Sequence, residues 1–171
     1  MFVCTDVDYR QDGSARAAAL VFRDWPDAAP LGEWVERVNG VQPYEPGEFY
    51  RRELPCLLAV LKGVFAAQGV PLAVVIDGYV TLDAAGTPGL GAHLYAALGR
   101  AVPVIGVAKT AFWGSAHAMA VCRGSSRSPL YVTAIGAGSA EQAARSVQQI
   151  AGPHRLPTLL RQVDGLCRSA P

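Results

Sequence analysis

Residues 72–107 constrain the fold more than any other stretch of this chain. Leu72-Ala73-Val74-Val75-Ile76 and Val102 to Val107 are unbroken apolar runs of strand length, the pattern of strands covered on both faces. Between them, Gly89 to Leu98 reads as a short helix. Strand, helix, strand in that order predicts a parallel pair joined by a crossover helix.

The flanking sequence extends this unit in both directions. Phe2 to Val7 and Ala15 to Phe22 are apolar runs separated by the turn residues Gln11-Asp12-Gly13-Ser14, which predicts a hairpin. Trp34 to Val38 is a weaker third strand. Leu54, Leu57, Leu58, Leu61 and Phe65 form one helical stripe, with Pro55 expected in the first turn and Gly69 at the end. His117 to Cys122 and Leu130 to Thr133 read as two later strands. Ser139 with Gln142 forms a capping box for a helix carrying Ala143, Ala144 and Val147. A last helix opens at Pro157, with Leu159, Leu160, Val163 and Leu166 on one face. The expectation is one α/β domain spanning residues 1–171, with a central mixed β-sheet flanked by helices.

Composition narrows the function classes. Hydrophobic residues make up 51% and charged residues 17%, which excludes a disordered chain or a coiled coil. No apolar run approaches bilayer length, so no membrane association is expected. Asp6 interrupts the amino terminus before a signal-type apolar stretch can form, and the expected location is cytoplasmic. Cys4, Cys56, Cys122 and Cys167 are scattered, without zinc-ligand spacing, and read as reduced core residues. Residues 1–89 hold 7 Lys/Arg against 12 Asp/Glu, and residues 90–171 hold 8 against 2. That asymmetry suits an acidic cation site beside a basic surface for a polyanion, or it is a chance drift of solvated charges.

Three carboxylates stand out. Asp6 lies inside the first apolar strand, Asp77 ends the run Leu72 to Ile76, and Glu53 precedes Pro55. Open α/β sheets bind ligands at the carboxyl ends of their strands. Carboxylates in such places are costly unless a positive group compensates, and several together suit a hard divalent cation such as Mg²⁺ or Mn²⁺. Structural alternatives stand beside this reading. Asp8 competes with Asp6 as the inward residue, Glu53 suits a helix cap, and Asp77-Gly78 suits an ordinary turn. His93 reads as a packing residue in a helix, and His117 and His154 are too dispersed for a zinc site. Trp25, Trp34 and Trp113 read as core or loop anchors. No glycine-rich phosphate loop is present, and Ser139 lacks a nucleophile-elbow context.

Several segments in order resemble the motifs of the endonuclease V family. They are Asp6-Val7-Asp8-Tyr9, Pro43-Tyr44-Glu45-Pro46-Gly47 running to Arg52-Glu53, Ile76-Asp77-Gly78, Ile105-Gly106-Val107-Ala108-Lys109 and Pro129-Leu130-Tyr131-Val132. His154-Arg155-Leu156-Pro157 entering a helix is similar to that family's ending. The resemblance implies a ribonuclease H-like fold whose acidic residues bind Mg²⁺ or Mn²⁺. It implies cleavage of DNA or RNA near a deaminated base, chiefly inosine, at the second phosphodiester on its 3′ side. By position, Asp6 becomes the first-strand metal ligand, Glu53 the helix-entry ligand and Asp77 the third. Lys109 matches a lysine suited to stabilising charge on the phosphate, or is a surface lysine after a strand. Tyr44, with Pro43, Pro46 and Gly47, matches a wedge that helps unstack the base, and Gly78 is likewise expected to contact nucleic acid; Tyr44 otherwise packs in a turn. The expected partner is nucleic acid and the expected state a monomer.

The chain also departs from the family. The stretch Tyr79 to Gly89 lacks the family's further glycine and its His-Pro-Arg after Asp-Gly. Thr133-Ala134-Ile135-Gly136-Ala137-Gly138 lacks a metal-proximal histidine. An alternative is therefore a catalytically impaired relative that binds nucleic acid or protein.

Overall fold

The computed structural model describes residues 1–43, 45–136 and 138–169. A seven-stranded mixed sheet forms the centre. Its strands are β1 (Phe2–Tyr9), β2 (Ala15–Phe22), β3 (Gly32–Val38), β4 (Val74–Asp77), β5 (Val104–Ala108), β6 (Met119–Val121) and β7 (Leu130–Ile135). The order across the sheet is β3-β2-β1-β4-β5-β7-β6. β1 pairs antiparallel with β2 and parallel with β4, and β4 pairs parallel with β5. The crossover expected from the sequence is present, with α2 (Leu90–Ala97) between β4 and β5.

Two layers of helix cover the sheet. Odd-numbered residues of β1 and β2, such as Val3, Ala17 and Ala19, face α1 (Phe49–Gln68) and α2. Their alternates Cys4, Ala18 and Leu20 face α3 (Ala140–Gln149) and α4 (Thr158–Arg168). The alanines of β2 leave little side chain on either face, so α1 and α4 approach the same strand from opposite sides. Ser139 and Gln142 form the expected capping box at the start of α3.

Local differences from the sequence reading have physical causes. α1 begins at Phe49, so Pro55 lies inside the helix rather than in its first turn. Pro55 is exposed, and the Arg51 carbonyl freed by its missing N–H is on a solvent-facing residue. Glu53 therefore sits in the second turn, only 5% exposed, and is not a cap. Leu72 is 65% exposed and precedes β4. His117 closes a single 3₁₀ turn instead of opening β6. Cys122 is exposed, unlike the three buried cysteines. Trp25 packs on Phe2 and Phe22, and Trp34 on the α1 core, but Trp113 stands in solvent. Among the described residues no helix is long and apolar enough to cross a membrane.

Candidate active site at the carboxyl ends of the central strands

The register of the parallel strands assembles the first two carboxylates. Thr5 is level with Ile76, so the next residues along, Asp6 and Asp77, lie on neighbouring strands and project from the same face. Asp8 shares that face, two residues on, but lies nearer solvent and pairs with Arg10 at 3.3 Å. Depth along the strand thus separates Asp6 from Asp8. Asp6 is 8% exposed, and its Oδ1 accepts the Val7 N–H at 2.8 Å.

Lys109 follows β5 directly and shares the face of Val107, which is level with Asp77. Its Nζ donates to Asp77 Oδ2 at 2.6 Å and stands 3.7 Å from Asp164 Oδ1. Asp164 was not among the residues expected from the sequence. It projects from α4 and also pairs with Arg168 at 3.0 Å. The signal was present: Leu160, Val163, Asp164 and Cys167 follow helical spacing, which puts one carboxylate in an otherwise apolar stripe. Arg155 fixes the backbone here by donating to the carbonyls of Lys109 and Pro129.

Glu53 arrives from the opposite face, on α1. The Tyr9 hydroxyl donates to its Oε2 at 3.2 Å, and the Arg52 guanidinium lies over the Tyr9 ring at 3.6 Å. Burial, followed by the charge on Asp6, pushes the Glu53 carboxyl up to about 8. Burial, followed by the charge on Asp77, pushes Asp6 up to about 7. Burial works against the Lys109 ammonium, but Asp77, Asp6 and Asp164 outweigh it and raise its pKa. The cluster is therefore short of positive charge: Asp6 and Glu53 hold protons that ordinary carboxylates release.

Hard oxygen donors with this demand suit a divalent cation. As arranged, no three His, Cys, Asp or Glu side chains among the described residues form a cation cage. The Lys109 ammonium supplies the nearest positive charge. A cavity of about 10 Å³ beside Asp6, Asp77 and Lys109, lined also by Leu156, Leu160 and Val163, has room for about one water.

A larger cavity of about 620 Å³ opens next to the cluster. Gly78, which follows Asp77, and Thr110, which follows Lys109, line it together with Gly47, Phe49 and Phe112. Gly78 and Gly47 have φ of 126° and 83°, which favour glycine. Of the predicted wedge, Gly47 reaches this cavity, Pro43 and Pro46 are exposed outside its lining, and Tyr44 lies outside the described residues. His93 stacks on Tyr50 at 3.6 Å, as a packing residue does.

Comparison with known proteins decides the family. A family model described as Endonuclease V matches residues 1–137. The chain belongs to the endonuclease V family. That match spans Asp6, Glu53, Asp77 and Lys109 and ends before Asp164. The endonuclease V of Streptomyces coelicolor is 31% identical over 185 residues, covering 96% of this chain and 76% of that protein. The endonuclease V of Xanthomonas oryzae is 36% identical over 110 residues, a match spanning 64% of this chain and 44% of that protein. Among solved structures, Ciona intestinalis endonuclease V superposes with a TM-score of 0.81 at 18% identity, covering 98% of this chain and 84% of that one. That protein was solved with a 24mer DNA containing an inosine followed by a ribo-adenosine.

The basic character of residues 90–171 is partly spent inside this endonuclease V fold. Arg123 donates to the carbonyls of Ile150 and His154, while Lys109, Arg155 and Arg168 serve the cluster or its supports. Arg100, Arg127, Arg145 and Arg161 remain exposed.

Proposed function

We propose that this chain is a divalent-metal-dependent endonuclease that hydrolyses a phosphodiester near a deaminated base, inosine, in DNA or RNA. The observation that carries the reading is the gathering of Asp6, Asp77 and Asp164 near Lys109, with Glu53 feeling the charge of Asp6 and Asp77 from the other face of the sheet, beside a cavity large enough for a base. Family membership and the inosine-containing DNA in the Ciona structure support it.

Asp6, Glu53 and Asp77, with Asp164, are the residues to hold Mg²⁺ or Mn²⁺. When bound, such an ion supplies charge to polarise the phosphate and to acidify an attacking water. Tyr9 orients Glu53 by donating to one of its oxygens, which leaves the other free. Lys109, once its bond to Asp77 is exchanged, is a donor for the charge developing on a phosphate oxygen. Gly47 and Gly78 let backbone approach a base closely, because neither carries a side chain into the 620 Å³ cavity.

The test is cleavage of matched inosine-containing DNA and RNA strands with Mg²⁺ or Mn²⁺, alongside Asp77→Ala. Metal-dependent cutting beside inosine that disappears in the variant supports the reading. No cutting by the wild type overturns it. The second reading, a non-cutting relative that binds nucleic acid or protein, is favoured by one observation: Lys109 already neutralises Asp77. Salt-sensitive strand binding without cutting would select it.

A further inference from the structure

The loop that follows Lys109 presents an aromatic surface that the carboxylate cluster does not use. Trp113 is 100% exposed and Phe112 41% exposed. A tryptophan wholly in water contributes no burial to the fold. Its loop is nonetheless firmly built. Ser115 is buried, and its Oγ donates to the Phe112 carbonyl at 2.8 Å and accepts the Phe112 N–H at 3.1 Å. Gly114, with φ of 103°, makes the turn that follows Trp113.

This loop rests on the segment that departs from the family pattern. The Tyr79 ring meets Phe112 edge-on at 4.8 Å, and its hydroxyl donates to the Thr110 carbonyl at 2.8 Å. His117 Nε2 lies 3.1 Å from both the Thr81 hydroxyl and the Thr81 carbonyl. Residues 79–89 and 110–117 therefore form one unit, and Phe112 links it to the 620 Å³ cavity.

We propose that Trp113, with Phe112 beside it in the chain, is a stacking platform for an unpaired nucleobase of the strand being cut. The inference rests on the nuclease reading above. Two features select a base as the occupant. The platform is continuous with the site, because Thr110 follows Lys109 and lines the cavity with Gly78. It is also confined to the two side chains Phe112 and Trp113, flanked by Ala111 and Gly114, which suits a base and falls far short of the roughly 800 Å² per partner of a stable protein interface.

Strand binding by fluorescence anisotropy in EDTA tests this. Labelled inosine-containing single strands of DNA and of RNA, and a matched duplex, are compared for wild type, Trp113→Ala and Trp113→Phe. The expected result is about tenfold weaker single-strand binding for Trp113→Ala, a smaller loss for Trp113→Phe, and a lesser effect on the duplex. A larger loss in one strand type identifies whether the stacked base comes from DNA or RNA. Quenching of tryptophan emission on strand addition, absent in Trp113→Phe, is the second expected readout. Equal single-strand affinity of wild type and Trp113→Ala overturns the platform and leaves the nuclease reading standing. No strand binding by the wild type overturns both.

Discussion

Glu53 and Asp77 reach one cluster from opposite faces of the sheet and are held in opposite ways. Glu53 is sealed by α1, and its partner is a neutral phenol, itself stacked under Arg52. Asp77 keeps a third of its side chain in solvent, and its partner is an ammonium that is just as exposed. The closed side is set by core packing, whereas the open side is set mainly by charge, which salt and bound ions rearrange. One half of the site is thus preorganised and the other half is exchangeable.

Asp6 couples the two sides, so its loss should have the largest effect. Asp6→Asn should lower metal-dependent cleavage by about a thousandfold. Activity within tenfold of wild type would mean that the two sides do not act together. Lys109→Met should cost about a hundredfold in cleavage. If the open side is the exchangeable one, the same substitution should also change the salt dependence of metal binding, and Tyr9→Phe should not.

Stability against pH separates the sides differently. Asp6 and Glu53 are raised to about 7 and about 8 in the fold, chiefly by burial, from 3.8 and 4.5 in the open chain. The unfolded chain releases these protons first, so rising pH favours unfolding. Their contribution is complete below the lower pair of values and is lost as pH rises through the higher pair. Melting in EDTA should fall by several degrees between about pH 5 and about pH 8. Asp6→Asn should flatten that slope, and Mn²⁺ should restore stability at the alkaline end. A slope unchanged in Asp6→Asn would place the titrating groups elsewhere. Tyr9→Phe, which deletes a single hydrogen bond on the closed side, should cost about 1 kcal/mol in denaturant melts. The smallest effect is expected from Asp8→Asn, within about twofold in cleavage, because Asp8 lies outward and pairs with Arg10.

Much of the scaffold was legible in the sequence because strand and helix periods report burial directly. β2 spans the apolar run as read, and the crossover between β4 and β5 followed from two unbroken apolar strands around one helix. The start of α1 was misplaced because proline is most easily accommodated in a first turn, and an exposed position deeper in the helix tolerated it. Asp6 and Asp77 could be suspected from their neighbours, since a carboxylate at a buried strand end is conspicuous. Their pairing could not, because it depends on the register between β1 and β4, which are separated by two strands and a helix in the chain. Asp164 escaped notice because amphipathic helices carry carboxylates routinely. Only the position of this one, between Val163 and Cys167 on the buried stripe, distinguishes it.

The docking of α4 on β1 has a consequence for the history of each molecule. The hairpin of β1 and β2 closes over a short turn, but α4 joins it across more than a hundred intervening residues, with Arg10 donating to the carbonyls of Cys167 and Ser169. Such long-range closure is slow and comes late in folding. During synthesis, Asp6 leaves the ribosome long before Asp164. A nascent chain therefore carries the first carboxylate without the fourth, and the cluster is completed only after α4 has been made and docked.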